Sequence, residues 1–254
     1  AAKFDQNYNS QYSYIAKVGY PMGMMYGFIY EGTYKYEDFD KVGDTYTLKR
    51  NVPYFSSESN TQPGMPKYAD LNGDGIIDDN DRTMIGNGMP KHTGGFTNNF
   101  EYKGFDLSIF FQWSYGNDVL NANRLFFENS NKTRDLNQYA SYADRWTPEN
   151  PESNIPRATD SGSNKVFSTR IIEDGSFLRL KTVSLGYTLP KQLTKKWKID
   201  NARVFVAGQN LWTCTGYSGY DPEVSIREGA LTPGLDFSAY PRAYSISFGI
   251  NLGF

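Results

Sequence analysis

An antiparallel β-barrel that spans a membrane is the fold class this sequence predicts. Three observations carry that expectation. The chain closes on a segment whose apolar residues fall on every second position, the same alternation returns in several earlier runs, and the connections between runs sort by length onto two sides.

The closing segment runs from Tyr244 to Phe254. Tyr244, Ile246, Phe248, Ile250, Leu252 and Phe254 alternate with Ser245, Ser247, Gly249, Asn251 and Gly253. Successive side chains of a strand point to opposite faces, so one face is apolar and the other small and polar. In a transmembrane barrel the first meets lipid, the second lines a wet lumen, and about 9–11 tilted residues cross the bilayer. A terminal edge strand of a soluble sandwich shows the same period and remains the alternative for this segment taken alone.

The alternation recurs at Phe105, Leu107, Ile109, Phe111, Trp113 and Tyr115, broken only by Phe110. Before it Phe96, Asn98, Phe100 and Tyr102 alternate with Gly95, Thr97, Asn99 and Glu101. The pair Lys103-Gly104 joins the two runs as a tight hairpin turn. A third run carries Val183, Leu185, Tyr187 and Leu189 and stops at Pro190; a fourth lies near Ala202 to Leu211, and an early strand is expected within Tyr14 to Tyr30. Up to two more are expected in residues 1–60.

Barrels of this kind have short periplasmic turns, long extracellular loops and a periplasmic C-terminus. Counting back from Phe254, residues 212–241, 116–175 and 32–93 fall outside, while 190–200 and Lys103-Gly104 fall inside. Every long connection lands on one side. A soluble sandwich has no reason to segregate its loops so. Six strands cannot close a barrel alone, since such barrels begin at about eight, so residues 1–254 are expected to be the C-terminal part of a longer barrel.

Composition agrees. A formal net charge of −2 gives no sign of a nucleic-acid partner, and no apolar run approaches the length of a membrane helix. Aromatics make up 16% of the chain, as expected where rings gird both membrane interfaces or line a sugar-binding surface. With Cys214 the only cysteine, no internal disulfide framework exists. No signal segment opens the chain, although an exported protein must have carried one.

The sharpest local motif is a twelve-residue acidic loop. Asp70, Asn72, Asp74, the carbonyl of Ile76, Asp78 and Asp81 occupy the oxygen-donor positions of an EF-hand calcium loop, with Gly75 at its turn. Asp stands where Glu is usual, and the neighbouring Pro63, Pro66 and Pro90 leave no room for flanking helices. The expectation is an isolated structural Ca2+ site; a solvated acidic turn is the alternative.

No catalytic constellation emerges, so an enzyme is not expected. His92 is the only histidine, which weakens histidine-based triads and multi-histidine metal sites together. Asp78 with Asp79, and Glu173 with Asp174, read as turn residues rather than a glycosidase pair. Lys191, Lys195, Lys196 and Lys198 form a basic cluster in the 190–200 linker, the usual composition of a solvated turn. Trp212, Tyr217, Tyr220 and Asp221, with Tyr115, Asn117 and Asp118 further back, could stack on and hydrogen-bond a sugar or peptide. An interface girdle is the other reading for Trp113 and Tyr115.

Several stretches together resemble the SusC/RagA family of TonB-dependent outer-membrane transporters: Val18-Gly19-Tyr20-Pro21-Met22-Gly23, Tyr26 to Gly32, Asp70 to Gly86, Asp144-Arg145-Trp146-Thr147-Pro148-Glu149-Asn150-Pro151, Glu173 to Lys181, Gly208-Gln209-Asn210-Leu211-Trp212 and Tyr217 to Glu223. The resemblance implies a 22-stranded barrel with an N-terminal plug. It also implies a SusD-like surface lipoprotein as partner, TonB as the source of energy, and an oligosaccharide or peptide as cargo. Plug and first strands are expected to lie outside this chain, and the resemblance makes Phe254 the assembly signal. Two rival readings are a secreted or surface calcium-stabilised glycan-binding module and a passive porin or adhesin barrel.

Overall fold

The computed structural model describes residues 1–5, 12–128, 137–158, 166–226 and 229–254. It divides into two compact units, each assembled from several stretches of chain. No helix among the described residues is long and apolar enough to cross a membrane.

One unit, residues 90–117, 174–223 and 240–254, is a single antiparallel sheet of five long strands. These are His92–Tyr102 (β1), Phe105–Tyr115 (β2), Phe177–Thr188 (β3), Asn201–Thr215 (β4) and Ser245–Gly253 (β5), in that order across the sheet. Lys103 and Gly104 both have positive φ, 46° and 87°, the backbone a two-residue type I′ turn requires.

The register carries the alternation across all five strands. Phe100 pairs with Leu107, Leu107 with Leu185, Leu185 with Val206, and Val206 with Phe248. A parallel row runs from Asn98 through Ile109, Val183 and Gly208 to Ile246. One face is thus a continuous apolar band, and it is exposed: Phe100 by 57%, Ile250 by 69% and Phe248 by 82%. Rings collect at both ends, with Tyr102, Phe105 and Tyr187 at one and His92, Trp113 and Tyr115 at the other.

Two features of this sheet escape a period-two reading. β3 begins at Phe177, six residues before Val183 where the expected run starts, and Lys181 is an extra residue against β2. Its apolar positions are therefore even-numbered before the bulge (Leu178, Leu180) and odd-numbered after it (Val183, Leu185, Tyr187), which hides the strand's first half. Against β3, β4 carries one extra residue in turn, Asn210 and Leu211 together opposing Lys181, with Asn210 at φ 52°. Phe110, which breaks the pattern of β2, turns to the polar face, where its ring covers Gly95. Phe205 covers Gly249 in the same way.

The other unit, residues 1–89, 118–173 and 224–239, has short strands and a dry core. Ala2–Asp5, Tyr12–Ala16, Met24–Gly27 and Thr83–Asn87 form its largest sheet. The single strand expected within Tyr14 to Tyr30 is two short strands of this sheet and the start of a third, Tyr30–Thr33, which pairs with Pro66–Tyr68. Gly19 and Gly23, both at positive φ, break the run. Tyr14, Met25, Leu120, Leu125, Phe167, Ile171 and Leu235 form the main core. Phe28, Tyr68, Ile77 and Val166 form a second cluster. Far from open loops, the long connections fold into this body.

Candidate functional site

Two regions concentrate polar chemistry, one in each unit. The first is the polar face of the five-stranded sheet. There Arg203 of β4 reaches across β3 to Asp106 of β2, its Nε donating to Oδ1 at 2.9 Å and its Nη2 to Oδ2. The bidentate geometry is the strong form of this pair. It passes over Gly186, where any Cβ would meet both the guanidinium and the carboxylate.

Further along β3, Arg179 holds the connection that follows β4. Its Nη2 donates to Asp221 at 2.5 Å and its Nη1 to Glu223 at 3.2 Å. Asp221 also accepts the backbone N–H of Glu223 at 2.9 Å and of Arg242 at 3.0 Å. Glu223 in turn meets the Arg242 guanidinium at 3.0 Å and the Lys181 ammonium at 3.4 Å. Burial alone would push the Asp221 carboxyl up, but the hydrogen bonds from Arg179 and the two backbone N–H groups outweigh it and hold the carboxyl below the usual carboxylate range. Two carboxylates and three cations thereby pin residues 221–223 and Arg242 to the polar face.

The expected binding residues separate here. Tyr217 is buried with its ring packed over Gly219, and Asp221 is buried in the ion-pair tie. Tyr220, at 82% exposure, points to solvent. Trp212 is half exposed on the apolar face, paired with Leu180. Asn117 accepts from Ser114 at 2.7 Å, and His92 accepts from the Trp113 indole at 3.1 Å. The sequence reading missed Arg179, Lys181, Arg203, Glu223 and Arg242. Of these, only the charged residues interrupting a β-pattern in β3 and β4 were a visible signal.

The second region is the acidic loop. Gly73 and Gly75, at φ 77° and 84°, turn the chain so that their N–H groups donate to Asp70 at 2.7 and 2.8 Å. Asn72 and Asp74 accept from Asp74 and Ile76 at 2.8 and 2.9 Å. Asp81, fully buried, accepts from Leu71 and Asp78, both at 2.8 Å, closing the loop on itself. The N–H groups on Asp70, Gly75's foremost, hold its carboxyl below the usual range. Among the described residues no group of three or more His, Cys, Asp or Glu is gathered as a metal would need. Each carboxylate nevertheless keeps lone pairs beyond those its N–H partners use. Asp78, Asp79 and Arg82 also rim a cavity of about 230 Å³ floored by Phe28, Phe55 and Ile77.

No family model matches the chain. A TonB-dependent receptor of Formosa agariphila, P3, is 34% identical over 247 residues, covering 94% of this chain and 23% of that protein. The receptor SusC of Bacteroides thetaiotaomicron is 28% identical over 198 residues, covering 78% of this chain and 18% of SusC. The chain is thus similar to TonB-dependent receptors over nearly its whole length. A solved structure of the RagAB peptide transporter superposes with a TM-score of 0.72 at 26% identity, covering 98% of this chain and 24% of the matched one. The chain thus spans about a quarter of the length of the receptors it matches. Its five-stranded sheet has the architecture of a portion of such a receptor's β-barrel, with one face an exposed apolar band.

Proposed function

We propose that the receptor containing this chain imports a nutrient across the outer membrane of a Gram-negative bacterium, drawing energy from TonB and working with a SusD-like surface lipoprotein. The observation that carries this reading is the exposed apolar band across five strands, backed by a polar face built from Asp106, Arg203 and the Arg179 tie. Such a wall meets lipid on one side and a wet lumen on the other. Lys103-Gly104, residues 190–200 and Phe254 then form the periplasmic rim, with Phe254 as the assembly signal, and the remaining plug and barrel come from chain outside residues 1–254.

The cargo proposed is an oligosaccharide, moved without covalent change. A peptide is the second reading, favoured by the RagAB peptide transporter's likeness to this chain. Uptake of labelled oligosaccharides and peptides by cells with and without the receptor, and with and without TonB, tests both. Transport that persists without TonB would sink the energised reading and favour a passive porin.

We also propose that the Asp70 loop takes a structural Ca2+ through Asp70, Asn72, Asp74, the Ile76 carbonyl, Asp78 and Asp81. The twelve-residue spacing and the glycine turn support it. Calcium added after EDTA is expected to raise the thermal midpoint of the receptor, and Asp74→Ala to abolish the rise; an unchanged midpoint would count against the site.

A further inference from the structure

The short connection between β3 and β4 is folded, cationic and apolar at once. Lys191–Thr194 forms a helical turn, a 3-10 turn follows over Lys195–Trp197, and Lys198 ends it at φ 56°. Thr194 is buried and its carbonyl accepts from Ile199 at 3.2 Å, while the Asp200 N–H donates to the Gly253 carbonyl at 2.8 Å. The turn is thereby fastened at the ends of β4 and β5.

Leu193 and Trp197 stand four residues apart in this turn and are 49% and 65% exposed. Lys191, Lys195, Lys196 and Lys198 are all exposed, and none pairs with a carboxylate among the described residues. Only Asp200 offsets four positive charges within ten residues. A solvated turn would account for the lysines. It would not account for a tryptophan left two-thirds bare beside them, at the end of the sheet where the apolar face closes on Tyr102, Phe105 and Tyr187.

We infer that this turn is a docking surface for anionic phospholipid in the adjoining leaflet. Leu193 and Trp197 enter the boundary between headgroups and acyl chains, continuing the apolar band, and the four ammonium groups extend to headgroup phosphates. The inference rests on the membrane reading of the sheet for the presence of a bilayer, and adds a headgroup preference to it.

The test uses the full-length receptor purified in detergent and offered equal amounts of phosphatidylglycerol and phosphatidylcholine, with retained lipid counted by native mass spectrometry. Phosphatidylglycerol is expected to be retained about tenfold over phosphatidylcholine, and to lose most of that preference when salt is raised from about 0.05 to about 0.5 M. The variant K191Q/K195Q/K196Q/K198Q is expected to bring the ratio to parity with its heat-modifiable migration unchanged. The smaller change K195Q/K196Q, which keeps the test available if the fourfold variant does not assemble, is expected to lower the ratio by about threefold. Equal retention in the unaltered receptor, a preference that survives the fourfold glutamine variant, or a ratio left unchanged by K195Q/K196Q overturns the inference. Retention of neither lipid by a receptor that stays soluble without detergent overturns the membrane reading as well.

Discussion

The two units are built by opposite rules from one chain. In the unit around Tyr14 and Phe167, Tyr14, Met25, Leu120, Phe167, Ile171 and Leu235 are 0–1% exposed and close a core. In the five-stranded unit residues of the same kind stand out, Phe248 by 82%, and almost nothing but Phe177, Ala202 and Tyr217 is buried among its apolar residues. An apolar band of that extent in water would be a sticky surface far beyond what soluble proteins tolerate. The difference teaches that one unit hides its rings from water while the other presents them, as the membrane placement proposed above requires.

Substitutions that respect one rule should break the other. Phe167→Ala, which opens a cavity in the dry core, is expected to cost about 3–5 kcal/mol. Limited proteolysis should then cut residues 1–89 first while heat-modifiable migration persists; loss of both together would mean that the units do not fold by separate rules. Arg179→Ala leaves buried Asp221 and half-buried Glu223 without their main cation, and breaking such a pair costs about 3–5 kcal/mol, toward the lower figure because Lys181 and Arg242 remain. The expected readout is protease access to residues 216–226. Asp221 binds its proton less tightly folded than unfolded, so the tie is fully stable above the unfolded carboxylate value of about 4 and weakens as pH falls through the lower folded value. Acidification should therefore mimic Arg179→Ala; release of the segment on raising pH would refute the assignment.

A smaller effect is expected on the lipid-facing band. Phe248→Lys places a charge opposite Val206, at a cost of about 2–4 kcal/mol near the bilayer centre, whereas Ser247→Lys, one residue away on the polar face, should assemble normally. Equal assembly yields for the two would break the lipid-facing assignment. Smallest is Gly186→Ala, whose Cβ meets the Arg203–Asp106 pair; about 1–3 kcal/mol of overpacking strain is expected, read as a lowered unfolding midpoint of the assembled receptor.

Much of the barrel wall was legible in the sequence. The run Phe105–Tyr115, the Lys103-Gly104 turn and the final strand were marked by periods of two and by turn chemistry, which depend on near neighbours alone. The bulge at Lys181 defeated the same method, because one inserted residue shifts the alternation and only a paired neighbour reveals the shift. Of the expected site, the Asp70 loop was readable as twelve consecutive residues. The roles of Tyr217, Tyr220 and Asp221 were not, since exposure separates them and exposure is not local.

By itself, then, the sequence determined which faces of the strands are apolar and where the hairpin turns, both set by residues within a dozen positions of one another. Only tertiary structure decided that Arg179 ties down Asp221 across 42 residues and that Arg203 meets Asp106 across 97. Likewise it alone joined three long connections into a body with its own core. The physical reason is loop closure: distant partners meet only after the intervening chain has folded, and no local pattern specifies which distant group will satisfy a buried charge.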